Sequence, residues 1–496
     1  MKRISTYILS LAAMIAVLGS CNKWLDIMPE DTTTEKQLFS DAGGYHSAIN
    51  GLYQTMASSS LYGENLTWGF ASALSQYYDN SSASNSKNFS YTEKYEYASD
   101  EMKSFGSQIW STAYNVVANA NNILAHLEKA DPSIFPEYDR CEVDIIKGEA
   151  LAVRALMHFE VLRLFAVAPV VDANAKAIPY VQKHPSIFNE RKTVKEIVEL
   201  VEKDLADAAD LLAKNDTTDI GYSNMYVTSN RYMTSNSSRD YFFTGRGVRL
   251  NYIGVMSLLA RVKAYAGDLK GAYDIAKFLT DTYVDKNGWY GYMDRFSATD
   301  TDTSRPHKLM EELLVSFYSE NLSTNYTSLT NEKLVYNSYA LKNVDGIFAD
   351  NADIRRTKLI VNYDLDTMIS LKYGERAGTS NIIQMENKVI PVMRLSELYL
   401  IMAEYLASNN QISDAVELLN DLRIARGCMN NIDAAVSLED FKAALNAEVL
   451  RENVAEGQYF FYCKRINAPT INNGGVFVQM QDKYTMLIPD SEIGLN

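Results

Sequence analysis

Apolar residues recur at helical spacing in long blocks, at 105–127, 143–165, 194–212, 255–266, 272–279, 395–407, 415–422 and 441–462. Few stretches alternate with the period of two that a half-buried strand requires. The pattern predicts a mainly α chain with long polar loops between helices. Two blocks read as copies of one unit. With Leu259-Ala260 aligned to Met402-Ala403, the next small residue falls twelve positions on in both, at Ala272 and Ala415, and the turn residues Gly267-Asp268 and Asn409-Asn410 lie between. Small residues at that separation let antiparallel helices approach closely, a spacing similar to the tetratricopeptide helix-turn-helix repeat. A third pair is expected if the helix through Glu149, Arg154 and Phe159 packs on 194–212, across a long connection through Pro169, Pro179 and Pro185. Insertions of that kind fall on loops, where binding residues concentrate.

Composition narrows the function classes. The chain has 496 residues, 47% of them hydrophobic and 22% charged, enough for a substantial core and against wholesale disorder. A net charge of −15 without a basic run disfavours a nucleic-acid partner and direct attraction to anionic lipid. Five scattered His and no Cys-x-x-Cys leave no visible zinc or redox site, so no metal or cofactor is expected. The N-terminus carries Lys2 and Arg3, an apolar stretch over 7–18, and Gly19-Ser20, which reads as an export leader too short to span a bilayer. Leu18-Gly19-Ser20-Cys21 resembles a bacterial lipobox, which makes Cys21 the expected lipidation site and takes the mature net charge from −15 to −17. Three thiols then remain, an odd number that leaves at least one unpaired. Cys428 and Cys463 are expected to be structural residues.

Several segments together resemble the SusD/RagB family of Bacteroidetes surface lipoproteins. They are Cys21-Asn22-Lys23-Trp24-Leu25-Asp26 with Pro29, then Ala48-Ile49-Asn50-Gly51-Leu52-Tyr53, then Trp110, Ala113-Tyr114 and Ala120-Asn121. Gly148-Glu149-Ala150, Arg154-Ala155 and Phe159 follow, then Arg394, Glu397, Ala403-Glu404, Leu422-Arg423, Arg426-Gly427, Arg451-Glu452 and Glu456-Gly457. Leu487-Ile488-Pro489 with Ser491-Glu492-Ile493 and Asn496 closes the series. Gln458 and Phe461-Tyr462 depart from the pattern, at positions where Arg and Asp are usual. The resemblance implies a tetratricopeptide-like α/α superhelix, with a leader over 1–20 and regions 21–225 and 226–496 folded as one unit. It also implies an outward-facing, lipid-anchored outer-membrane protein that captures a nutrient, most simply an oligosaccharide, and delivers it to a SusC-like TonB-dependent transporter. Peptide capture is the alternative that the RagB branch implies.

Sugar rings present apolar faces edged with hydroxyls, so their sites combine flat aromatics with amides and carboxylates. Segment 62–97 holds nine aromatics in 36 residues, interleaved with Asn, Gln and Asp. A second cluster, Trp289, Tyr290, Tyr292 and Phe296, follows a repeat pair and precedes the polar run 299–304. Trp68, Tyr77, Tyr78, Asp79, Asn80, Trp289, Tyr290 and Tyr292 are therefore the candidate ligand contacts. Two further aromatic stretches, 222–243 and 326–339, are candidates for a transporter face. No catalytic residue is expected: Arg154, Arg394, Glu397, Glu404, Arg451 and Glu452 read as ion pairs that fix helix packing, and no G-x-S-x-G, H-E-x-x-H or phosphate-binding glycine loop is present. A surface glycoside hydrolase would need two carboxyls across a cleft, one held as an acid, and a repeat scaffold binding only protein is the remaining rival.

Overall fold

The computed structural model describes residues 34–79, 89–135, 141–186, 188–232, 241–291, 306–330, 339–362 and 367–493. The leader, Cys21, Asn80, Tyr292, Phe296, the run 299–304 and Asn496 lie outside them. The periodic blocks are helices, and α1 and α7 are helices outside them: α1 (Ala42–Met56), α2 (Asp100–Leu127), α3 (Glu142–Phe165), α4 (Val194–Asp216), α5 (Tyr252–Ala266), α6 (Leu269–Thr280), α7 (Leu322–Thr330), α8 (Leu395–Ser408), α9 (Ile412–Ala425), α10 (Leu438–Glu452) and α11 (Gln458–Arg465).

Local chemistry sets their ends. Thr193 and Glu196 form a capping box at the start of α4: the Thr193 hydroxyl accepts from the Glu196 amide at 3.2 Å, and the Glu196 carboxylate accepts from the Thr193 amide at 2.7 Å. Asn251 caps α5 through the Gly254 amide, and Asp268 caps α6 through the Gly271 amide, both at 2.9 Å. Gly267 ends α5 at φ +89°, the left-handed conformation that glycine adopts without strain.

The predicted pairs are present. α5 packs on α6, α8 on α9, and α6 on α8, with Ala260, Ala272, Ala403 and Ala415 wholly enclosed at the approaches. The third pair is α3 on α4, clamped by Arg154, which donates from Nε and Nη2 to Asp204 at 2.7 and 2.8 Å. Its long connection carries a small antiparallel pair, β1 (Lys176–Pro179) and β2 (Arg191–Thr193).

The block over 441–462 is a single helix in the sequence pattern but two in the structure. Ala455 and Gly457 turn left-handed, at φ +62° and +70°, between α10 and α11. A Cβ on Gly457 would lie 2.7 Å from Ala71 Cβ and 2.8 Å from the Leu66 carbonyl oxygen. Helical periodicity continues through the break because both halves bury their apolar side, while the close approach of segment 66–71 forces the turn.

The strands complete the irregular part. β3 (Leu313–Tyr318) pairs antiparallel with the buried β6 (Val389–Arg394), β4 (Ile360–Asn362) with β5 (Met368–Ser370), and β7 (Thr470–Asn473) with β8 (Val476–Gln479). Among the described residues the main hydrophobic core runs from Phe39 to Met486 and takes in both repeats and loops, with smaller clusters around Tyr232 and around Ala272 beside it. Among the described residues no helix is long and apolar enough to cross a membrane.

Candidate functional site

The aromatic residues singled out from the sequence are not on the surface. Trp68 is 1% exposed, edge-on to Tyr326 with centroids 4.9 Å apart, and 5.1 Å from Tyr339. The Tyr77 hydroxyl donates to the Leu450 carbonyl at 2.6 Å and the Tyr78 hydroxyl to the Trp68 carbonyl, both from buried rings. Trp289 lies 4.9 Å from Tyr283, and the Arg231 guanidinium sits 4.2 Å over the buried Tyr290 ring while donating to the Trp289 carbonyl at 2.6 Å. A ring enclosed in this way offers no face to a sugar. The expectation that Trp68, Tyr77, Tyr78, Trp289 and Tyr290 form stacking platforms is corrected accordingly: loops without regular hydrogen-bond ladders recruit bulky rings to fill their interior, with hydroxyls satisfying loop carbonyls. Asp79 alone of the described set is exposed, its amide donating to the Ala340 carbonyl at 2.8 Å.

The surface offers a different place. A groove of ≈ 530 Å³ lies between the C-terminus of α8, the N-terminal half of α10, the end of α11 and the β7–β8 hairpin. Phe477, 61% exposed, stands on β8 and lines the groove together with the exposed Ile466. Lys442, Asn446, Ser408, Thr470 and Asn472 add ammonium, amide and hydroxyl groups to the lining. Tyr459 fixes two of the walls, donating to Asn446 Oδ1 at 2.6 Å and to the Asn472 carbonyl at 3.0 Å.

The hairpin is held from the other side by the aromatic-rich segment. Asn473 Nδ2 donates to the Gln76 carbonyl at 2.6 Å, and Asn343 Nδ2 to the Gly474 carbonyl at 2.9 Å. Segment 62–79 therefore supports the groove without lining it. The signal that marks the hairpin is Asn472-Asn473-Gly474-Gly475 between Ile471 and Val476-Phe477-Val478, a turn flanked by strand formers that helical periodicity overlooks.

Glu404 and Tyr462 belong both to the groove and to a smaller pocket of ≈ 70 Å³ that leads inward between α3, α5, α8, α10 and α11. Arg163, Arg261 and Tyr265 are its buried polar members, and Gln458, Phe461 and Tyr462, where the sequence departs from the family pattern, also line it. Glu397 is held by Arg261 through Nε at 2.7 Å and Nη2 at 2.6 Å, and Glu404 by the Nη1 and Nη2 groups of Arg465.

The remaining motif charges are structural, as their types suggested. Arg394 reaches Glu456 and Glu452 at 2.8 and 2.6 Å, and Arg426 bridges Glu452 and Glu312, each at 2.7 Å, all buried. Cys428 and Cys463 are buried free thiols, and burial pushes both up to about 12, far from the ionised form a nucleophile needs. Among the described residues no group of His, Cys, Asp and Glu side chains is arranged to hold a metal ion.

Two family models match successive parts of the chain. One, described as "Starch-binding associating with outer membrane", covers residues 23–224, and the other, the SusD family, covers residues 220–487. No curated protein matches. Among solved structures, the chain is similar to a SusD superfamily protein from Bacteroides thetaiotaomicron, with 23% identity over 92% of this chain and 98% of that one and a TM-score of 0.68. It is also similar to a SusD-like carbohydrate binding protein from Bacteroides vulgatus, with 18% identity over 92% and 96% and a TM-score of 0.67. At these identities the likeness establishes a shared fold.

Proposed function

This chain belongs to the SusD family, and from that premise we propose that it is a non-catalytic, lipid-anchored surface protein that captures an oligosaccharide and passes it to a SusC-like TonB-dependent transporter of the outer membrane. The groove carries the reading. An exposed ring, Phe477, shares a space of ≈ 530 Å³ with amide, hydroxyl and ammonium side chains, and a pyranose presents the matching apolar face and hydroxyl rim. That volume lies within the range of small-molecule sites. Asp79 remains in the proposal as a contact at the far side of the hairpin, to ligand or transporter. A membrane anchor at Cys21 raises local concentration, so modest affinity is enough for a protein that must release its cargo.

The carboxylates near the crevice support binding over hydrolysis. Each oxygen of Glu397 and Glu404 accepts from an arginine fork, which ties both groups into the helix packing. Peptide capture is the second reading, favoured by Ile466, whose exposed aliphatic side chain lines the groove together with Phe477 and suits a peptide's apolar residue.

Isothermal titration of the mature chain against a glycan and peptide panel, with product analysis, tests these readings. Glycan heat without new reducing ends supports capture, and peptide heat alone moves the cargo to the second reading. Turnover abolished by one carboxylate substitution makes the protein an enzyme. Cys21→Ala should leave an uncleaved or soluble precursor, and unchanged membrane fractionation of that variant overturns the anchor.

A further inference from the structure

In the groove, the carboxamide and carboxylate acceptors are spent within the chain, while the amide and ammonium donors are not. Asn472 Oδ1 accepts the Gly475 amide at 2.7 Å, which fixes the carboxamide's orientation and leaves its Nδ2 without an acceptor among the described residues. The Tyr459 hydroxyl reaches Asn446 Oδ1 at 2.6 Å, the length of an O–H donated to an oxygen, so Nδ2 of Asn446 is left over in the same way. Lys442 stands one turn before Asn446 on α10, hence on the same helix face, and has no carboxylate partner among the described residues. Glu404 is the only carboxylate among the groove's described lining residues, and both its oxygens accept from Arg465.

Charge and placement narrow the ligand. With Glu404 neutralised by Arg465, Lys442 leaves the groove locally positive on a chain whose net charge is −15. An anion that the rest of such a surface repels is balanced here. Asn472 is the cross-strand partner of Phe477 in the β7–β8 ladder, so the amide and the ring stand on one face of the hairpin. A pyranose laid on that ring has one amide donor at its edge and two further donors on the α10 wall. A sugar hydroxyl both donates and accepts, whereas a carboxylate or sulfate only accepts and carries the charge that Lys442 lacks a partner for.

We propose that the groove selects acidic saccharides, with a pyranose resting on Phe477 and its anionic substituent, a uronate carboxylate or a sulfate ester, accepting from Lys442 Nζ and Asn446 Nδ2. Asn472 Nδ2 donates to an oxygen at the ring edge. Lys442 is then the residue that sets specificity, since the ring and the amides serve neutral and acidic sugars alike. The assignment rests on the capture reading and names its class of cargo.

The test is titration of the mature chain with matched pairs: trigalacturonate and trimannuronate, each beside its methyl ester, and a 6-sulfated galactotriose beside its unsulfated form. At least one anion should bind about ten-fold tighter than its neutral counterpart, and the pair that does so identifies the source of the charge. Lys442→Met keeps an apolar stem and removes the ammonium. The side chain is exposed, so the melting temperature should hold while the preference falls to about two-fold or less. Lys442→Arg should retain the preference. Asn472→Asp keeps an oxygen for the Gly475 amide but turns the donor into an acceptor, so it should weaken the anion about ten-fold. Equal affinity within every pair, or a preference that survives Lys442→Met, overturns the acidic-saccharide assignment and leaves capture standing. Absence of binding by any glycan overturns both.

Discussion

Two arginine–glutamate clusters lie side by side: one gathers Arg355, Arg394 and Arg426 around Glu452 of α10, and the other sets Arg261 of α5 and Arg465 of α11 against α8, with Arg163 and Glu160 of α3 beside them. Around Glu452, every nitrogen of the Arg355, Arg394 and Arg426 guanidiniums has an acceptor: Glu312, Glu448, Glu452, Glu456 and Asp353 take most of these bonds, and the Glu452 carbonyl and Ser396 hydroxyl the rest. Around the inner pocket, Arg163 and Arg261 each keep one nitrogen without a partner. Where every nitrogen of a guanidinium is paired the network fixes packing tightly, and where one is left over, as on Arg163 and Arg261, the same residue types hold their helices less completely.

The sharpest way to break the comparison is to open the closed cluster. Arg426→Ala takes from Glu312 its two-pronged partner and from Glu452 one of three, both carboxylates being essentially inaccessible, and should cost about 3–5 kcal/mol in urea unfolding. A loss below about 1 kcal/mol, the ordinary cost of a point mutation, would mean the network is redundant. Trp68→Ala belongs beside it. The ring is enclosed, so truncation should cost about 3–5 kcal/mol while leaving glycan affinity unchanged. Weakened binding at unaltered stability would return Trp68 to the ligand site.

Acid should then dissect the closed cluster without mutation. Burial alone would raise the Glu448 carboxyl, but Arg355 and Arg451 overcome it and hold it down at about 2, below the ordinary value of 4.5. Glu452 is driven the same way, well below that value, by Arg426, Arg394 and Arg355 against its own burial. A depressed carboxylate contributes its full stability above the unfolded value and loses it as pH falls toward the folded one. Unfolding free energy should therefore decline from about pH 4.5 to about pH 2, by on the order of 3 kcal/mol for Glu448 alone. A flat profile across that window would show that the carboxylates are not held in this way.

The repeats were legible in the sequence because helix packing repeats its own pattern: Ala260, Ala272, Ala403 and Ala415 sit at fixed offsets, and Gly267-Asp268 marks the turn. The family motifs were legible too, being ion-pair residues such as Arg154 and Arg394 whose spacing follows helix faces. The site was not. Aromatic density over 62–97 signals rings, but ring count is the same whether a loop packs them inward or displays them, and Tyr77 and Tyr78 turn inward because their hydroxyls find backbone carbonyls there. The break before α11 was hidden for a related reason, since the close approach at Gly457 involves segment 66–71, nearly 400 residues away in sequence.

The smallest expected effect on stability is the most informative about the open side. Phe477 is 61% exposed on the hairpin, so Phe477→Ala should move the unfolding free energy by no more than about 0.5 kcal/mol. If the ring is the platform on which a sugar stacks, the same substitution should weaken glycan binding about ten-fold, the scale of a contact residue at the centre of a site. Phe477→Tyr keeps the ring face and should restore most of that affinity, which separates stacking from a general loss of apolar surface. Equal affinity in Phe477→Ala and the parent would remove the groove from the ligand path.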